Sequence, residues 1–303
     1  MNTSFREINK QYTAWLDTLG FSSGVIYDYN YRVRDFFEWL DTETVSQVNQ
    51  LTQKHINQYF EHLQNRPNKR RKGHLLSASH LNHNFIAVDK LLEFLNSHGL
   101  QNTPQPTNYR MPIDKDERIR KIETLTQDQI KTLLSAIENT YPKLNYTHRE
   151  ANHYELKLVF ALAYGCGLRL SECLRIRFQD IDFERKTIFV EKGKNYKDRI
   201  IPMSTGVYNS LQDYIYNFRN NQKTAYNRLF LKVNKNALNK MLKHLQDTCE
   251  DEQIKEKRLS LHVLRHSIAT HLLQNGMNIE NISQFLGHSS LESTQIYTHL
   301  VDQ

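Results

Sequence analysis

TIFVEKGKNYKDRIIP, residues 187–202, decides the fold class, because it holds the one convincing pair of strands in the sequence. Thr187-Ile188-Phe189-Val190 is rich in β-branched and aromatic residues, and Arg199-Ile200-Ile201-Pro202 answers it. Gly193 and Asn195 lie between them, so the spacing predicts a β-hairpin with a basic tip carrying Lys192, Lys194 and Lys197. On either side the pattern turns helical. Upstream, Thr126 is placed to cap a helix through QDQIKTLLSAI, and Gln129 three residues later completes a capping box. A second helix follows around residues 154–164, with Leu156, Leu158, Val159, Ala161 and Leu162 apolar, until Gly165 and Gly167 interrupt it. Downstream of the hairpin, helices continue to the end. The expected class is mainly α, in two domains, with a small antiparallel sheet in the second.

The first hundred residues read as four amphipathic helices. Phe5, Ile8, Tyr12, Trp15 and Leu16 share a face, and Ser22 or Ser23 is placed to cap a second helix bearing Val33, Phe36, Phe37 and Leu40. Thr52 opens a third, and Ser77 or Ser79 a fourth that Gly99 closes. Residues 101–123, with three Pro and little periodicity, read as a linker. A length of 303 residues suits two such domains.

Composition narrows the function classes. Lys+Arg number 40 against 33 Asp+Glu, a moderate excess compatible with a polyanionic partner. No apolar run approaches the roughly 18 residues of a membrane span, and the N-terminus lacks a signal-peptide core, so a cytoplasmic protein is expected. Three Cys make no disulfide framework and no zinc pattern, and are expected as reduced thiols. Between the third and fourth helices, Arg66, Lys69, Arg70, Arg71 and Lys72 crowd into seven residues. A solvated loop and a contact to a phosphate backbone are both consistent with that run.

Five segments of the second half could carry chemistry. Arg169 in GLRLSE sits between two glycines that end one helix and a serine able to cap the next. A hairpin-tip Lys can deliver a proton. In LHVLRH, His262 and Arg265 lie three apart at the border of the stripe Leu261, Leu264, Ile268 and Leu272. His262, His266 and His271 share a helical face poorly and have no Cys or acidic companion, so no metal is expected. His288 follows a helix closed by Gly287, and Tyr297 is the only Tyr after Tyr226. Two Arg and two His can surround one phosphate, a Lys can act as acid and a Tyr can attack. No carboxylate cluster supports a two-metal nuclease, and no GxxxxGK[ST] supports a nucleotide hydrolase.

GLRLSE, a hairpin Lys, HVLRH and LGHSSLESTQIYTH occur here in the order found in the tyrosine recombinases, and the chain resembles that family of phage integrases and Xer-type enzymes. The resemblance implies a core-binding, SAM-like helical domain at 1–100 that clamps DNA, and a catalytic domain at 124–303. It implies that Tyr297 attacks a DNA phosphodiester to form a 3′-phosphotyrosyl bond, with His262 as base. Arg169, Arg265 and His288 would hold the phosphoryl oxygens, and a hairpin Lys would protonate the departing 5′-oxygen. Gly193-Lys194-Asn195-Tyr196-Lys197-Asp198-Arg199 is similar to the family's Gly-Lys-Gly-x-Lys-x-Arg, which gives the acid role to Lys194. Asn195 replaces the second Gly, and only six residues follow Tyr297 where many relatives carry a longer C-terminal helix. Neither cofactor nor ATP is implied. The partners implied are duplex DNA with inverted-repeat sites and a homotetramer on paired sites, from a free monomer, with accessory proteins in some systems. Two alternatives share features of this pattern: a type IB topoisomerase, and a non-catalytic DNA-binding accessory factor.

Overall fold

The computed structural model describes residues 1–68, 71–99, 103–113, 122–140, 147–191, 198–222, 227–230, 233–288 and 290–301. The chain forms two compact units, Met1–Asp114 and Lys115–Gln303.

The first unit holds α1 (Thr3–Thr18), α2 (Ser23–Thr42), α3 (Gln53–Asn65) and α4 (Ala78–Ser97). Each begins where a short polar side chain takes an otherwise unpaired backbone N–H. Asn2 accepts from Phe5, Ser22 from Val25, Thr52 from His55 and Ser77 from His80. The apolar faces meet in one aromatic-rich core, where Phe5 stacks on Phe37 at 4.5 Å and Phe60 on Phe85 at 4.0 Å. Burial of those faces, more than intrinsic propensity, holds the four helices.

The expected linker is fastened over its first half. Asn82 exchanges two hydrogen bonds with the Met111 backbone. Asp89 accepts from the Thr107 N–H and pairs with Arg110 at 2.7 Å. Asn96 donates to the Pro104 carbonyl. Three polar residues on α4, two of them buried, are thereby satisfied by the segment that follows it.

The second unit begins with α5 (Gln127–Thr140), where Thr126 and Gln129 form the anticipated reciprocal cap. Next come α6 (Thr147–Gly165), the single turn α7 (Leu170–Cys173), and the strands β1 (Ile181–Asp182), β2 (Thr187–Val190) and β3 (Arg199–Pro202). The sheet is antiparallel in the order β1-β2-β3, with Ile188 opposite Ile201 and Val190 opposite Arg199. The two-residue β1 is too short to show a period-2 pattern, so its sequence gave no strand signal. The hairpin tip, residues 192–197, lies outside the described residues. Among the described residues the α-helices that follow are α8 (Thr205–Asp213), α9 (Lys235–Thr248), α10 (Glu252–Glu256), α11 (Leu261–Gln274), α12 (Ile279–Leu286), α13 (Glu292–Gln295) and α14 (Thr298–Val301). Helix α6 is the centre of this core. Leu156, Leu158, Val159, Phe160, Leu162 and Ala163 are all fully buried, and α11 packs along it. The three cysteines are free and buried.

Candidate active site

The site is built around the turn that ends α6. Gly167 adopts φ +59°, and a Cβ there would lie 2.7 Å from Leu286 Cδ2. Both the left-handed conformation and the close approach of α12 therefore require glycine. The turn presents its carbonyl to Arg265 and delivers Arg169 as the N-cap of α7. Arg265 is 4% exposed and also donates to the Leu286 carbonyl at 2.8 Å. Arg169 reaches the Gly287 carbonyl with Nη1 and Nη2, each at 3.4 Å. Gly287 ends α12 in the left-handed conformation, φ +66°, which turns His288 toward the same region. Both guanidinium groups are thus tied to one turn and one helix end.

Glu172 binds the cluster together. It accepts the Arg169 backbone N–H at 2.9 Å and pairs with Arg169 Nη1 at 2.9 Å. It also takes two bonds from Arg199, at 2.9 and 3.1 Å, and lies 3.9 Å from Arg265. The Arg199 side chain is 8% exposed and donates from Nε to the Phe285 carbonyl. Burial alone would raise the Glu172 pKa. The hydrogen bonds and charge of Arg199, with the backbone bond and charge of Arg169, outweigh it and bring the pKa down to about 2. The folded carboxyl titrates below its unfolded value of 4.5, so its contribution to stability is complete above that pH and is lost as pH falls toward 2. Glu172→Gln removes the charge from a site of three guanidinium groups. We expect it to lower stability at pH 7 by about 3 kcal/mol. Urea titrations at pH 7 and pH 3 check this, since the gap between the proteins should narrow at the lower pH. A gap of equal size at both would mean that the carboxylate charge is not what holds the cluster.

Tyr297 is 1% exposed. Burial raises its pKa, and the nearby charges of Arg265 and then Arg169 oppose that rise. Its hydroxyl bonds Nδ1 of His266 at 2.9 Å. His288 lies nearly parallel to the Tyr297 ring, at 15° and 6.3 Å, and bonds Thr294 Oγ1 at 2.7 Å through Nδ1. Burial, then the charges of Arg265 and Arg169, press the His288 pKa down to about 3, so its imidazole is neutral at pH 7. His262, on an exposed part of α11, has its pKa lowered by partial desolvation and by the charges of Arg265 and Arg169. His271 is occupied by Tyr164 Oη at 2.9 Å. Among the described residues no group of His, Cys, Asp and Glu is placed to hold a metal ion.

Arg169, His262, Arg265, His288 and Tyr297 therefore fall in one region, while Lys194, Lys192 and Lys197 lie outside the described residues. The basic run between α3 and α4 divides. Arg66 turns inward onto Asp35 at 2.7 Å, beside the Tyr59 hydroxyl, so it is a fold residue rather than an outstretched cation. Arg71 and Lys72 are exposed on a turn closed by Asn68 N–H on the His74 carbonyl. Lys69 and Arg70 are outside the described residues. The sequence reading missed three members of the site. Glu172 stands three residues after the cap, where a capping-box acid belongs. Arg199 shares the inward face of β3 with Ile201, an unusual place for a charge. His266 was weighed only as a metal ligand.

A family model described as the phage integrase family matches residues 123–303, and one described as its N-terminal SAM-like domain matches residues 10–99. The chain belongs to the phage integrase family. Among relatives, Tyrosine recombinase XerD of Rickettsia bellii is 30% identical over 293 residues, covering 92% of this chain and 89% of that one. Tyrosine recombinase XerC of Anoxybacillus flavithermus is 27% identical, covering 92% and 88%. The fold is similar to that of XerH recombinase bound to its difH substrate, with TM-score 0.67, 19% identity and coverage of 90% and 76%. It is also similar to the Tn1549 transposon integrase in complex with transposon right end DNA, with TM-score 0.66, 18% identity and coverage of 96% and 94%. As a tyrosine recombinase, this member of the phage integrase family is an enzyme that cleaves and rejoins DNA.

Proposed function

We propose that the chain exchanges DNA strands at specific sites through a covalent link between Tyr297 and a DNA 3′-phosphate. The observation that carries this reading is the convergence of two guanidinium groups and a neutral histidine on the only late tyrosine in the sequence. Arg169 and Arg265 supply planar donor forks for the non-bridging oxygens, where charge develops as phosphorus becomes five-coordinate. His288 adds an N–H donor. Thr294 is buried, and if its hydroxyl donates to Nδ1, the proton of the neutral ring sits on Nε2. The Tyr297 phenol starts above its ordinary pKa and needs a proton acceptor, the role the family resemblance gives to His262. The phosphotyrosyl link retains the energy of the broken bond, so a free 5′-hydroxyl can reverse the attack without ATP or metal. The expected partners are duplex DNA with inverted-repeat sites and three further copies of this chain, acting in the cytoplasm. A nicked suicide duplex should trap the chain on a DNA 3′ end in the presence of a chelator. Absence of any adduct on substrates that support recombination would overturn the reading.

Lys194 is proposed as the acid that protonates the leaving 5′-oxygen, the role the family resemblance gives it, with Lys192 as the competing candidate. With a 5′-bridging phosphorothiolate the sulfur leaves without a proton. Lys194→Ala should be slow on ordinary DNA and close to wild type on that substrate. Rescue of Lys192→Ala instead would move the role to Lys192.

The basic run Lys69, Arg70, Arg71 and Lys72 is proposed to touch phosphates in this reading. Neutralising Arg71 and Lys72 should weaken binding to specific and random DNA alike. It should also reduce the slope of log affinity against log salt by about 2. A changed site preference at constant slope would show base contacts instead.

A further inference from the structure

Tyr297 stands between two four-residue helices, α13 and α14, and short elements restrain a side chain poorly. Its hydroxyl is nevertheless fixed. Oη lies 2.9 Å from His266 Nδ1, and the two rings are 5.6 Å apart at 52°. His266 follows Arg265 directly on α11, which packs on the central helix α6. One rigid helix therefore carries both a phosphate-binding group and the ring that meets the attacking oxygen.

We propose that His266 is a positioning residue for strand transfer: its imidazole accepts the hydrogen bond of the Tyr297 hydroxyl and holds the attacking oxygen in register with Arg265. The inference rests on Tyr297 being the nucleophile. Burial, then the charges of His262 and Arg265, lowers the His266 pKa to about 4, so the ring is neutral at pH 7 and Nδ1 has a lone pair to offer. Burial first, and then those charges, keep the ring unprotonated, so its part in this reading is to orient the hydroxyl. His288 instead lies nearly parallel to the Tyr297 ring at 6.3 Å, with its Nδ1 on Thr294, while the hydroxyl meets His266. Misplacing a reacting atom by about 1 Å can cost about a hundredfold in rate, so one well-placed bond is enough to matter.

The test is single-turnover cleavage of a suicide duplex, with DNA affinity and melting temperature measured on the same preparations. His266→Phe fills the ring's space without an acceptor. His266→Asn can place its amide oxygen where Nδ1 stood. We expect the cleavage rate constant to fall about 10- to 100-fold in the Phe variant and to recover to within about fivefold of wild type in the Asn variant, with affinity unchanged in both. Wild-type or faster cleavage by His266→Phe would overturn the proposal, as would an Asn variant no better than Phe at equal melting temperature. Ring nitrogen NMR of the unmodified protein gives a reading independent of any variant. The proton should be found on Nε2 of His266, and a proton on Nδ1 would equally overturn the proposal. Tyr297→Phe run alongside separates the two levels, since an adduct in that variant discards the nucleophile assignment itself.

Discussion

Tyr297→Phe should abolish covalent capture of DNA while leaving DNA affinity within a few-fold of wild type. The substitution removes one oxygen and keeps the ring that packs beside His266 and His288. The fold loses one hydrogen bond, about 1 kcal/mol, which a two-unit protein can absorb. Binding is expected to rest mostly on phosphate contacts spread over both units, and the phenol adds little to that sum. No other tyrosine follows Tyr226, so none lies nearby in sequence to take over the attack. Denaturing gels with a suicide substrate measure the outcome. A persistent adduct in the Phe variant would place the nucleophile elsewhere, and loss of binding alongside cleavage would mean that the hydroxyl supports the DNA interface.

Much of this could be read from the sequence because the signals were local. Thr126 with Gln129, and the serines before α2 and α4, marked helix starts that the structure reproduces. Strands β2 and β3 were legible because β-branched residues lie on both sides of a stretch that contains Gly193 and Asn195. What was not legible was long-range. Nothing near Asp35 announces that Arg66, 31 residues away, folds back onto it, so a run of five cations looked uniform when one member is structural. The polar segment after α4 looked like slack chain for the same reason. Its partners Asn82, Asp89 and Asn96 lie on a helix whose visible pattern was the apolar face.

The site shows the same division. Arg169, Arg265 and His288 stood out because each interrupts or borders a regular pattern, and Tyr297 because the order of the motifs resembles that of the family. His266 did not, since its significance depends on Tyr297 31 residues later, and periodicity on α11 carries no information about that pairing. His262 lies one turn earlier on the same helix, so spacing alone does not say which imidazole meets the phenol.

Arg265→Lys should be nearly as damaging as Arg265→Ala, lowering cleavage by about two to three orders of magnitude. A preserved positive charge would suggest otherwise, so geometry has to decide. Arg265 donates from Nη1 to the Gly167 carbonyl and from Nη2 to the Leu286 carbonyl, two acceptors on different segments. A guanidinium spans them with coplanar N–H groups and still has donors left for phosphate oxygens. A Lys ammonium is a single point. It can satisfy one carbonyl or approach the phosphate, and at a site that is 4% exposed no bulk water replaces the missing partner. The unpaired carbonyl belongs either to the Gly167 turn, which delivers Arg169, or to the end of α12, which delivers His288. The Lys variant therefore disturbs neighbours as well as losing its own contacts. Arg169→Lys should behave similarly, because Arg169 uses one nitrogen on Glu172 and two on Gly287. Single-turnover cleavage at saturating protein separates this from weakened binding. Cleavage within tenfold of wild type in either Lys variant would show that charge is sufficient and that the fork is not what the reaction uses.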